Sequence, residues 1–254
     1  MIGKLIKATK LEINHIKENK FSMLFFLLVP SIIISIFGGV AKKPITWGAY
    51  GSLGITGYDL YSPGILPLII LFITTQLTVL RIVGERAPFG TLDRDLLAIP
   101  KVSMYFGKLL TNFLFFIIQL LLIYIIITRI FPVNNFGGPI VIILFLLLIG
   151  LFGLALGLAI SIFSKSKEQA VQLVPLFILL LFIFGGLIFN IELSPVIQII
   201  SDNSPLMLTA DSLRMSMLDG VGFEDVTSNL YKLIYWNIGL IFISMLKFKF
   251  ERKK

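Results

Sequence analysis

The chain has no cysteine and only one histidine, His15, among its 254 residues. Without cysteine there is no disulfide, no thiolate nucleophile and no thiolate-held metal, and one imidazole cannot build a histidine metal centre. His15 lies in a lysine-rich stretch and reads as a surface residue. Charge is scarce as well: Asp, Glu, Lys and Arg make up 14%, against roughly 25% in soluble domains. No Gly-x-x-x-x-Gly-Lys-Ser/Thr phosphate loop occurs, and no zinc-protease or nucleophile-elbow motif. The sequence therefore points to no catalytic residue, no metal ligand and no cofactor bound by this chain. Ion-coupled carriers and intramembrane enzymes commonly place an ionisable group deep in the bilayer. None falls at the centre of the apolar runs here.

What the chain does have is apolar length. Hydrophobic residues make up 57%, in runs long enough to cross a hydrocarbon core about 30 Å thick. The expected fold is an all-α membrane protein of six spans, at 21–37, 63–80, 109–127, 140–163, 170–189 and 230–246. Before them, 1–20 places Ile2, Ile6, Ile13 and Ile16 near one helical face, with Lys4, Lys7, Lys10, Lys17 and Lys20 around the rest. Such a basic amphipathic helix is expected to lie in the headgroup layer. The rival reading, a signal peptide, is disfavoured because the following apolar run is too long and lacks a small-x-small cleavage site. The loop 38–61 is rich in glycine and proline, and short amphipathic helices dipping into the outer headgroup layer are expected within 190–229.

Seventeen Lys and Arg residues fall on the side of the termini and the 84–110 loop, against Lys42, Lys43, Arg129 and Arg214 on the other, with Lys232 just inside the last span. The positive-inside rule places both termini in the cytoplasm. It also puts the net charge of +8 against the anionic inner leaflet, so nucleic acid is not needed as a partner. Within the spans, Gln76, Asn112, Gln119 and Tyr124 are the strongest polar features. They can bond neighbouring helices or line a substrate path; both readings stay open. Gly150, Gly153 and Gly157 form a small-residue face that lets helices approach closely, more simply within the chain than between chains.

The longest internal polar stretch on the cytoplasmic side is 84–110. From Thr91, Leu92, Leu96 and Leu97 share one helical face while Asp93, Arg94 and Asp95 point away, and Pro100 ends the pattern. A solvated linker and a docking helix both fit that chemistry. The run Glu85-Arg86, Gly90-Thr91-Leu92-Asp93, Leu96-Leu97-Ala98-Ile99-Pro100 and Gly107-Lys108 resembles the signature of type-2 ABC transporter permeases. It departs at Ala87-Pro88-Phe89, where the family more often has polar residues. A second block, Gly185-Gly186, Leu193 to Pro195, Asn203-Ser204-Pro205-Leu206 and Asp211 to Arg214, is similar to the family's late pattern, though without its proline shortly after the glycines.

The resemblance implies a single permease domain over 1–254, with a coupling helix at 84–100 that seats in a groove of an ATP-hydrolysing subunit. Glu85, Arg86, Gly90, Thr91, Leu92, Asp93, Arg94, Leu96 and Leu97 would form that docking surface. It further implies short re-entrant helices outside, a second permease subunit forming a homodimer, ATP and Mg on the partner, and export across the cell membrane. The small loops favour a hydrophobic drug, peptide or lipid over polysaccharide. Two other classes remain: a self-sufficient carrier or channel, and a non-transporting membrane scaffold.

Overall fold

The computed structural model describes residues 2–18, 20–45, 54–86, 99–164, 166–184 and 195–250. Nine helices account for nearly all of them: α1 (Ile2–Glu18), α2 (Lys20–Val40), α3 (Gly57–Arg86), α4 (Lys101–Ile125), α5 (Pro139–Phe163), α6 (Lys167–Phe184), α7 (Pro195–Asp202), α8 (Pro205–Met217) and α9 (Thr227–Phe250). A π-helical turn, Ile126–Ile130, continues α4. Among the described residues there is no strand, only an isolated antiparallel bridge between Pro44 and Thr56. Among the described residues, four helices are long and apolar enough to cross a membrane: Gly57–Gly84, Lys101–Ile130, Pro139–Phe163 and Thr227–Leu246. Leu24–Val40 and Glu168–Ile183 are apolar but shorter. This is a multi-pass, all-helical membrane protein.

The core is the α3–α5 pair, the most extensive helix contact among the described residues. It is close because α5 presents glycine to α3. A Cβ on Gly153 would lie 2.1 Å from Thr74 Oγ1, and one on Gly157 would lie 2.6 Å from the Thr75 carbonyl oxygen. On an adjacent turn, a Cβ on Gly150 would strike the Phe116 ring of α4. The glycine face is thus spent inside the chain. Thr74, Thr75 and Thr78, facing these glycines, donate to carbonyls of their own helix and are satisfied without a partner. Around this pair α2, α6 and α9 are peripheral, with Leu28, Ile32, Leu179, Leu180, Ile238 and Phe242 exposed, as apolar residues facing lipid would be.

The boundaries differ from the sequence expectation in informative places. α3 begins at Gly57, not 63, because Thr56 and Asp59 form a capping box. Thr56 N and Oγ1 donate to Asp59 Oδ2 at 2.8 and 2.6 Å, and Asp59 N donates back to Thr56 Oγ1 at 3.2 Å. α4 begins at Lys101, so residues 101–108, read from sequence as loop, are its first two turns. Within 190–229 the structure forms α7 and α8. Ser204 caps α8, its Oγ accepting from Met207 N at 3.2 Å, with Pro205 at the first helical position. α8 is largely buried, packing against α3, α5 and α9.

The N-terminal helix docks on a face other than the isoleucine stripe. Ile6 is 61% exposed and Ile13 37%, whereas Ala8 and Glu12 are buried. Those two residues lie one turn apart and face α4.

Candidate functional site

Where α1 crosses α4 the backbones nearly touch. A Cβ on Gly107 would sit 2.7 Å from the Ala8 Cβ and 3.2 Å from the Ala8 carbonyl carbon. Glycine at 107 is what permits the crossing. The next residue, Lys108, reaches back to Glu12, its Nζ donating to Oε1. The other carboxylate oxygen, Oε2, accepts from Arg81 Nη2 at 2.9 Å. One acid on α1 therefore binds two cations on two other helices, one oxygen each. Glu12 and Lys108 are each 1% exposed and Arg81 10%.

Removing three charges from water costs several kcal/mol per ion, and the cost is offset only when every member stays paired. One turn earlier on α4, buried Tyr105 shares a hydrogen bond with Ser244 of α9, their oxygens 2.6 Å apart. Tyr105, Gly107 and Lys108 together join α4 to α1, α3 and α9 within two turns.

Position along the chain gives this junction its interest. Arg81 lies just before the 87–98 segment, and Lys108 just after it. Ile99, directly beyond that segment, is buried in the main core. Both arms that carry the segment are therefore fixed to each other and to α1.

At the other end of α3 a second buried acid, Asp59, also accepts at Oδ1 from Asn134 N at 2.7 Å, beside its capping box. It thereby ties α3 to the α4–α5 turn.

Residues 5–218 match the ABC-2 type transporter family. The chain belongs to that family. Domains of the ABC-2 type form the membrane part of ABC transporters and are not themselves catalytic. Over 213 residues the chain is also 28% identical to ABC transporter G family member 20 of Dictyostelium discoideum. That alignment covers 80% of this chain and 28% of the relative, so the chain spans little more than a quarter of the relative's length.

Among the residues singled out from sequence for this ABC-2 domain, Glu85 and Arg86 are in the last turn of α3. Gly90, Thr91, Leu92, Asp93, Arg94, Leu96 and Leu97 lie outside the described residues. Of the polar span residues, Asn112 Nδ2 donates to Thr78 Oγ1 at 3.4 Å, and Gln119 Nε2 to the Phe26 carbonyl at 3.0 Å. These bonds connect α4 to α3 and to α2. Gln76 Oε1 is buried with no hydrogen-bond partner, and Tyr124 is half-buried. The structure does not gather these four into one pocket.

Glu12 and Asp59 escaped the sequence reading. A signal existed for each: Glu12 is an acid in a lysine-rich helix, four residues after the small Ala8, and Thr56-x-x-Asp59 is a capping-box pattern.

Proposed function

We propose that the chain is the permease subunit of an ATP-driven ABC exporter in the cell membrane. In this reading all six apolar segments cross the bilayer, both termini are cytoplasmic, and α7 and α8 form a re-entrant outer cap. Residues 84–100 form the coupling helix and dock on an ATPase subunit that holds ATP and Mg. Two copies of the permease pair to form the pathway.

The observation that carries the reading is the Glu12–Arg81–Lys108 junction. An engine outside the membrane needs a stiff connection to the spans, because force applied to a loose loop would be lost as local bending. Here the two arms of the 87–98 segment are joined to each other, and Tyr105 extends the connection to α9. A push on the segment then moves α1, α3, α4 and α9 as one body, which is how packed helices transmit domain motion.

In this reading the substrate class follows from an open groove of about 410 Å³ between α2, α3 and α6, lined by Val29, Leu68, Phe72, Ile73, Ile178 and Phe182 among others. Its walls are aliphatic and aromatic, without a charged side chain, which suits a hydrophobic drug, lipid or apolar peptide.

The test is reconstitution in liposomes with and without an ABC ATPase subunit. ATP-dependent movement of a hydrophobic dye that needs both proteins supports the reading. Movement by this chain alone, without ATP, overturns it.

A further inference from the structure

A second groove runs along the outer surface of the bundle, between α5, α6 and α9. Its volume is about 520 Å³. The floor and walls are apolar, formed by Phe152, Leu156, Phe177, Leu181, Leu240 and Ile243. One end differs. There the lining includes Lys232, Tyr235, Trp236 and Asn203, at the outer end of α9.

The rim is built rather than accidental. The Trp236 indole N–H donates to the Asn203 carbonyl at 2.8 Å, and its ring meets Phe152 edge-on at a centroid separation of 6.3 Å. Trp236 is thereby a fixed wall. Beside it, Tyr235 is 72% exposed. Lys232 is exposed too and makes no ion pair among the described residues. Tyrosine and tryptophan at one level of a membrane helix mark the headgroup region. From Lys232 to Ile243 is eleven residues along α9, or ~16 Å at 1.5 Å per residue. That equals half of a hydrocarbon core about 30 Å thick, so the groove is one leaflet deep.

We propose that this groove holds one acyl chain of a phospholipid with a net negative headgroup, its phosphate accepting hydrogen bonds at the Lys232 and Tyr235 rim. A second helix would not explain an unpaired ammonium at the top of an apolar slot. A lipid does, because its charge and its chain are arranged in the same order. The inference needs only that the chain is embedded in a membrane, so it stands or falls separately from the transporter reading.

Gly239 supplies a clean test. It lines the groove, and a Cβ added there meets no atom within 4 Å. Gly239→Leu should therefore fill the slot without disturbing the bundle. The full chain would be purified in a mild detergent and titrated with palmitoyl-oleoyl phosphatidylglycerol or phosphatidylcholine, with bound lipid counted by native mass spectrometry. The expected result is at least fivefold more phosphatidylglycerol than phosphatidylcholine retained at equal concentration. Lys232→Gln should abolish that preference, and Gly239→Leu should remove one bound lipid of either kind. Equal retention of the two lipids by the parent chain would overturn the proposal, as would Lys232→Gln binding like the parent. So would a lipid-free dimer that Gly239→Leu splits, since the groove would then belong to a second copy.

Discussion

Glu12→Gln keeps the shape of the side chain where α1, α3 and α4 meet but removes the charge that Arg81 and Lys108 share. Both cations would stay buried, with an amide carbonyl in place of the carboxylate they share. Removing one member of a buried ion pair costs about 3–5 kcal/mol, because the partners left behind keep their desolvation cost. Arg81 and Lys108 have other interactions as well, so the low end, about 3 kcal/mol, is the better expectation. α1 packs chiefly on α4, so this energy should act on the docking of α1 and leave the bundle folded. Roughly 3 kcal/mol is about a hundredfold in that equilibrium. Amide hydrogen exchange across α1, followed by mass spectrometry in detergent, reads it directly. Protection of α1 should fall by about a hundredfold while α5 is unchanged. Adding Lys108→Met to Glu12→Gln should restore part of the loss, since one buried charge is gone. Exchange within twofold of the parent would show that the Ala8–Gly107 packing alone holds α1 and that the charge junction carries nothing.

Other outcomes follow from the same geometry. Gly157→Ala puts a Cβ 2.6 Å from the Thr75 carbonyl oxygen, a backbone atom that cannot swing away. It should cost about 1–3 kcal/mol by overpacking, seen as a lower Tm in detergent. Gly84→Ala, with nothing within 4 Å, should be neutral or stabilising by up to about 1 kcal/mol. Asp59→Ala removes the acceptor of the half-buried Thr56 and Asn134 amides, at up to about 1–3 kcal/mol for each donor, so its Tm should fall further than that of Asp59→Asn. Burial raises the Asp211 carboxyl above its ordinary 3.8, opposed by Arg214 and aided by Asp202. Its folded state prefers the proton, so this group's stabilising contribution is fullest below the unfolded value and is lost as pH rises through the raised one. Asp211→Asn should flatten that part of the stability–pH curve. The effect should be small, because the Asp211–Arg214 pair is over a third exposed.

The membrane class was legible because the length of an apolar run is a local property fixed by bilayer thickness. The glycine face of α5 was legible too, since Gly150, Gly153 and Gly157 recur at helical spacing. Its partner, the threonine face of α3, was not, because periodicity names a face and never what it touches. Glycines and prolines near residue 56 obscured the start of α3, although the capping box was there to be read.

α1 shows the deeper limit. Hydrophobic periodicity picks out the isoleucines, yet the docked face is a small residue and an acid. Glu12 is buried only because its partners arrive from positions 69 and 96 residues away. Gly107-Lys108 was visible as part of a family signature. What those two residues do here, letting α1 approach and then pinning it, required the fold.

The central claim is that an outside motor drives this bundle through the segment between α3 and α4. Leu96 is the residue on which that claim can be tested most directly, by comparing ATP hydrolysis that co-purifies with the chain before and after Leu96→Asp. The parent should carry vanadate-sensitive ATPase activity, and the variant should lose it while keeping the helical content and Tm of the parent. An equally active Leu96→Asp complex would contradict the account.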